Sequence, residues 1–155
     1  MHMRRDSIMI LHLYLQPLCD SVALLSQRLD HVTICLKHYH DVISDGRRVV
    51  VVPETGSPRR CGGQGDVLAG SAGTFFHWTH SRSRDDTRIN GATCGCEGAE
   101  VDDDTRPSAP MLAAYGACVL TKRCNAKSYA NRGRSTTTVD LIDNIGTVFM
   151  ESFEP

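Results

Sequence analysis

The sequence predicts an α/β fold, and three observations carry that prediction. A helical run leads directly into a β-branched strand, a hairpin signal joins two further apolar runs, and the second half of the chain repeats apolar residues at helical spacing. At 155 residues the chain fits one domain or a piece of a larger one. Hydrophobic content of 41% and charged content of 23% are ordinary for a globular protein. A formal net charge of −1 creates no basic field, which argues against a nucleic-acid partner and against a polybasic membrane surface.

The opening "MHMRRDSIMILHLYLQPLC" has a basic start and an apolar run from Ile8 to Leu15. That run is too short to span a membrane, and His12 and the lack of a small-residue cleavage site make it a poor secretory signal. A buried strand or helix is expected there instead. The seven cysteines (Cys19, Cys35, Cys61, Cys94, Cys96, Cys118 and Cys124) are odd in number and scattered. They read as reduced thiols of an intracellular protein rather than a disulfide framework.

Asp20–Asp30 predicts a helix with Val22, Leu25 and Leu29 on its buried face and Asp20 or Ser21 as its cap. "HVTICLK" predicts a buried strand over Val32–Leu36. In "DVISDGRRVVVVP", Asp45-Gly46 is a two-residue hairpin signal, so Val42–Ser44 and Val49–Val52 are expected to pair antiparallel, with Pro53 ending the second strand. "ETGSPRRCGGQG" is then a loop, followed by a helix from Asp66 to about Trp78. Residues 81–108 are polar and aperiodic and predict a flexible surface insertion. Helical period returns in "APMLAAYGACVLTKRCNAKSYANRG", with Leu112, Tyr115, Cys118 and Val119 on one face and Gly133 as the stop. A last helix begins near "STTT", capped by a threonine, with Asp140 in its first turn. Its expected buried stripe is Leu141, Ile142, Ile145, Val148, Phe149 and Phe153.

The run "GGQGD", Gly62 to Asp66, places glycines immediately before a helix. The first amides of a helix have no intrahelical partner, and the helix dipole adds positive potential there. Glycines let such amides converge without a Cβ in the way, which makes an anion hole suited to phosphate. No Gly-Lys-Ser/Thr follows, so this is not a Walker A loop, and the spacing is not that of a dinucleotide fingerprint. The terminal Asp66 would repel a phosphate that was merely bound. It fits a base that takes a proton from a hydroxyl while the hole stabilises phosphoryl charge. On these residues alone, a phosphate site and a plain structural turn both stay open.

"GxGD" at a helix start resembles the catalytic motif of the ribokinase-like superfamily. The longer string "RRCGGQGDVLAGSAGTFFHW" resembles the eukaryotic ATP-dependent NAD(P)H-hydrate dehydratase family, with its YjeF C-terminal, carbohydrate-kinase-like domain. "VTICLKHYHDVISDG" resembles that family's strand ending in Lys-Gly-x-x-Asp before a hairpin, and "AAYGACVLTKRCNAKSYANRGRSTTTVDLI" its C-terminal helices. The resemblance covers roughly Ser21–Phe153 outside the insertion. It implies a three-layer α/β/α fold, of which this chain supplies a C-terminal half with a partial sheet, a hairpin and helices. Residues 1–19 are then an atypical N-terminal segment and residues 20–155 the half-domain.

The resemblance implies ATP-dependent phosphorylation of the ring hydroxyl of NADHX or NADPHX. Loss of phosphate then regenerates NADH or NADPH. Magnesium would be held through phosphates and water rather than by a dedicated protein cage. Asp66 matches the aspartate that contacts the hydrate and acts as base, and Gly63, Gln64 and Gly65 match the anion hole. Gly56, Ser57, Pro58, Arg59, Arg60, Cys61 and Gly62, running into Gly63–Gly65, match the ATP-phosphate loop. Lys37, His38, Tyr39, His40 and Asp41 match a second nucleotide-binding stretch. The family's usual glycine after the lysine is His38 here, so its Cβ and ring would crowd the nucleotide. The family's N-terminal strands, its substrate loop and an Asn-x-x-Glu-type segment find no match. An exposed sheet edge, uncovered apolar faces and weak or absent turnover by the chain alone are therefore expected.

Arg59 and Arg60 are phosphate ligands or solvated loop residues. Cys61 is a reactive thiol or, more simply, a small packing residue. Cys94-x-Cys96 with His77 and His80 fits no standard zinc spacing. His38 and His40 read as surface groups beside the nucleotide, Asn125 as a surface amide or, by the resemblance, a border of the adenine pocket, and "STTT" as a helix cap that the resemblance places near the nucleotide. Rival functions are a ribokinase-like small-molecule kinase and a nucleotide-binding or inactive partner of a full-length subunit. The expected compartment is the cytoplasm, with the mitochondrion as alternative, and a homo-oligomer is left open.

Overall fold

The computed structural model describes residues 5–89 and 107–154. Cys94, Cys96 and most of the expected insertion lie outside these residues. The chain forms two compact units, Met1–Pro53 and Glu54–Pro155. Together they hold helices and one small three-stranded sheet, a partial α/β fold.

The first unit begins with α1 (Arg5–Arg28), which joins the apolar opening and the expected Asp20–Asp30 helix into one element. It continues through Pro17, whose missing N–H removes one intrahelical bond. Asp20 and Ser21 therefore do not cap a helix. They lie inside it, where Gln16 Nε2 donates to Asp20 Oδ1 at 2.9 Å and Ser21 Oγ donates to the Pro17 carbonyl at 2.7 Å. From residue 14 on, where burial is described, Val22 and Ser26 are the buried positions, while Leu25 and Leu29 are half exposed. The expected stripe was rotated because Ser26, whose Oγ donates to the Val32 carbonyl at 2.7 Å, takes the inward place. The helix ends through Asp30 and His31, both at positive φ.

β1 (Ile34–Leu36), β2 (Val42–Ser44) and β3 (Val49–Val51) form an antiparallel sheet in the order β1-β2-β3. Ile43 faces Cys35 on one side and Val50 on the other. The hairpin pairs as expected, but Ser44 is opposite Val49, so the connection spans Asp45–Arg48 rather than two residues. Asp45 Oδ1 sets that loop by accepting the amides of Arg47 (3.0 Å) and Arg48 (2.9 Å). Burial pushes the Asp45 carboxyl up, but the amides of Arg48 and Arg47 outweigh it and hold the group below the ordinary value. Val42, Ile43 and Val52 are fully buried and form this unit's core.

The second unit contains α2 (Gln64–Ile89), α3 (Ala109–Arg132), a 3-10 turn (Gly133–Ser135), α4 (Thr138–Asp143) and α5 (Ile145–Phe153). α2 runs well past Trp78, so residues 81–89, expected in an aperiodic insertion, are helical. α3 is buried around most of its circumference, including Ala117, Cys118, Cys124 and Asn125, and no single face describes it. Leu112, placed on the buried face from sequence, is exposed. Gly133 does end the helix, at φ +58, with its amide bonded to the Tyr129 carbonyl. Leu120, Cys124, Leu141 and Val148 form the core, flanked by Cys61, Phe75, Ile145 and Phe149. Burial pushes the Cys124 thiol up to about 11, the state of an inert packing residue.

Candidate active site

The glycine turn is built by two elements far apart in sequence. Gly63 takes φ +81 and its carbonyl receives the amides of Asp66 (3.0 Å) and Val67 (3.2 Å), so Gly63 is the residue from which α2 starts. A Cβ at Gly63 would lie 2.9 Å from Thr138 Oγ1 and 3.1 Å from its Cγ2. The position needs glycine twice over, for its φ and for the closeness of α4. Thr138 then fastens the turn, because its hydroxyl donates to the Gly62 carbonyl. Cys61 Sγ lies 3.7 Å from the same hydroxyl and packs against the core, which favours the bland reading of that thiol.

Each threonine of the "TTT" run has a separate task. Thr136 is fully buried and its hydroxyl donates to the Gly133 carbonyl at 2.7 Å. Thr137 caps α4 with Asp140, whose Oδ2 accepts from the Thr137 amide at 2.8 Å and hydroxyl at 2.7 Å. Thr138 holds the glycine turn. The sequence suggested the cap and, by resemblance, a place near the nucleotide, but not this bond, since a hydroxyl reaching a loop 76 residues away leaves no periodic signal.

Gln64 N reaches the Cys61 carbonyl only at 3.5 Å, and among the described residues the Gly65 amide donates to no backbone carbonyl. Asp66 is exposed in the first helical turn. These are the parts of an anion site with a carboxylate beside it. Asp66, Gly63 and Thr138 also line an apolar cavity of about 570 Å³ whose other walls include Phe75, Trp78, Ile142 and Phe149. Ile142, expected inside the final helix stripe, is half exposed because it faces this cavity rather than the core. Phe75, Trp78, Phe149 and Phe153 form an aromatic cluster, with Phe75 and Trp78 meeting edge to face at 5.6 Å.

The loop before the turn is ordered by its own hydrogen bonds. Ser57 Oγ donates to the Arg59 carbonyl at 3.1 Å and accepts the Arg59 amide at 3.2 Å. Arg59 and Arg60 are exposed on it. Asn125 is not on the helix surface: it is 1% exposed, and both ends of its amide contact this loop.

Lys37–Asp41 belongs to the other unit, Met1–Pro53. Asp41 is buried, and its Oδ1 accepts the His38 amide at 2.9 Å while its carbonyl accepts the Val52 amide at 2.8 Å. Its carboxylate thus shapes the loop. His38 is exposed and does not adopt the left-handed region, so the side chain in place of the family's glycine puts no strain on the backbone. Tyr39 and His40 meet edge to face at 4.9 Å. Among the described residues no group of three His, Cys, Asp or Glu side chains is arranged to hold a metal ion. No helix there is long and apolar enough to cross a membrane.

A glycine turn at a helix start, an exposed aspartate in the first helical turn and a small sheet with helices define a carbohydrate-kinase-like α/β protein. The family model described as NAD(P)H-hydrate dehydratase matches residues 15–146, and the chain belongs to that family. The match begins ahead of Asp20, inside the segment set apart from sequence. An ATP-dependent (S)-NAD(P)H-hydrate dehydratase of Pongo abelii is 42% identical over 135 residues, which is 86% of this chain and 36% of the relative. The protein of the same name from Homo sapiens is 42% identical over 135 residues, 86% of this chain and 34% of its own length. That from Danio rerio is 41% identical over 130 residues, 84% and 34% respectively. The chain spans about a third of the length of the curated relatives it matches.

Proposed function

We propose that this chain carries the phosphoryl-transfer centre of an ATP-dependent dehydratase acting on NADHX and NADPHX. The observation that carries the proposal is the Gly63 turn. Its positive φ starts α2 so that the Gly65 amide stays open beside the exposed Asp66 carboxylate. Asp66 accepts the proton of the substrate hydroxyl as its oxygen bonds to the γ-phosphorus of ATP, and the bond to ADP breaks. The amides of Gly63, Gln64 and Gly65 hold the phosphoryl oxygens as charge shifts toward the leaving ADP. Phosphate then leaves the ring carbon and the ring double bond re-forms with loss of a proton.

Gly56–Gly62 receives the ATP phosphates, with Arg59 and Arg60 suited to pair with them, and Lys37–Asp41 supplies a second nucleotide contact. Magnesium bound to the nucleotide would neutralise phosphate charge, a role that needs few protein ligands. We place the activity in the cytoplasm, with the mitochondrion as alternative.

The test is turnover of NADHX with ATP and magnesium, followed by NADH absorbance and ADP release together. Whatever turnover the chain supports, weak as the missing N-terminal strands lead one to expect, should fall by about 100-fold or more in Asp66→Asn, the range for removing a general base, while ATP binding is retained. ADP release without NADH would point instead to a kinase acting on another acceptor. Equal turnover by Asp66→Asn would remove Asp66 from the mechanism.

A further inference from the structure

Asn125 lies in the middle of α3, yet its side chain is spent on the loop Gly56–Arg60. Its Oδ1 accepts the Ser57 amide at 2.8 Å and its Nδ2 donates to the Arg59 carbonyl at 3.1 Å. A side-chain amide offers an acceptor and donors on one plane, so it can grip a peptide segment at both polarities without carrying charge. Reversing the amide would set donor against donor and acceptor against acceptor, so the network fixes its orientation.

The loop is shaped for this grip. Gly56 takes φ +71, and a Cβ there would lie 3.2 Å from Asn125 Oδ1 and 3.7 Å from Lys122 Cβ and Cγ. The backbone can approach α3 only because Gly56 has no side chain. With the main chain at Ser57 and Arg59 committed to Asn125, the side chains of Arg59 and Arg60 remain exposed.

We propose that Asn125 is a positioning residue that clamps the Gly56–Arg60 loop in the form that receives the nucleotide's polyphosphate, and that it acts on the phosphates rather than on the adenine. This rests on reading that loop as the ATP-phosphate loop. The contrast between phosphate and base makes the proposal testable, because inorganic triphosphate carries the first without the second.

Binding of ATP and of inorganic triphosphate to the full 155-residue chain is measured by calorimetry, alongside amide hydrogen exchange at Ser57. Asn125→Ala should weaken both ligands by a similar factor, about 10- to 100-fold, as expected when a buried hydrogen-bond pair is opened. Protection of the Ser57 amide should fall with it. Gly56→Ala should reproduce both effects, and the double variant should be no worse than the poorer single one, since both act through one contact. Asn125→Asp, which keeps the acceptor, should retain part of the Ser57 protection. Weakening of ATP with triphosphate unchanged would overturn the proposal in favour of base contact, and unchanged Ser57 exchange in Asn125→Ala would overturn the clamp. Should Asn125→Ala fail to fold, Gly56→Ala and Asn125→Asp carry the same comparison. If the wild-type chain binds neither ligand, the phosphate-loop reading fails and the positioning role with it, while Ser57 exchange still decides whether the clamp exists.

Discussion

A Cβ at Gly63 would meet Thr138 Oγ1 at 2.9 Å, so the turn that presents Asp66 is only as stable as its contact with α4. Replacing Thr138 by Val keeps the shape of the side chain and removes the hydroxyl that donates to the Gly62 carbonyl. Thr138→Val should destabilise the chain by about 1–2 kcal/mol in urea titrations, the range for an opened hydrogen bond, and should lower turnover several-fold. Gly63→Ala should be worse on both counts, because it adds a clash and a strained φ. If Thr138→Val proves the more damaging, the hydroxyl has a role beyond holding the turn. The glycines were legible from sequence because their conformational demand is local. The roles of Thr138 and Asn125 were not, because the first contributes through one hydrogen bond and the second through two, each to a loop distant in sequence, and a single polar side chain leaves no pattern along the chain.

The last helical stretch shows the same division at the scale of an element. Its start was legible: Thr137 and Asp140 form the cap that "STTTVD" suggests. Its continuity was misread. Asn144 Nδ2 donates to the Asp140 carbonyl at 2.8 Å and its amide turns to the Leu141 carbonyl at 3.1 Å, so α4 ends and α5 begins. A side chain that captures an intrahelical carbonyl competes with the backbone, and hydrophobic period does not report that competition. The cap also sets a pH dependence. The Thr137 hydroxyl, followed by the Thr137 amide, holds the Asp140 carboxyl below its ordinary value; burial opposes them, and Arg132 adds smaller contributions to the lowering. A depressed folded pKa means the contribution is present above the unfolded value, near pH 4 (about 3.9), and is lost as pH falls through the folded one. Urea midpoints measured from neutral to acid pH should fall in that window. Asp140→Asn should flatten this part of the profile, and an unchanged slope would show that the cap does not titrate.

At the scale of the whole molecule, Leu141 joins α4 to the α3 core and is fully buried. Leu141→Ala should cost about 2–5 kcal/mol, the range for a large-to-small change in a packed core, and would loosen the turn that Thr138 grips. ATP binding should act in the opposite direction. A ligand that binds only the folded chain at 100 times its Kd adds about 2.7 kcal/mol, so saturating ATP with magnesium should raise the melting temperature. A melting temperature that ignores ATP would contradict the nucleotide reading.

The sequence by itself determined the α/β class, the hairpin between Val42 and Val51, the helix that starts at the glycine turn, and the family. These rest on local signals: β-branched runs, helical period, glycines before a helix, and a long contiguous motif. Only the tertiary structure decided which faces are buried, as with Leu112 and Ile142 outside the core and Asn125 within it. It also decided what holds the glycine turn and its loop in shape. Burial and long-range hydrogen bonds depend on which elements meet, and the spacing of residues along one element does not encode its neighbours.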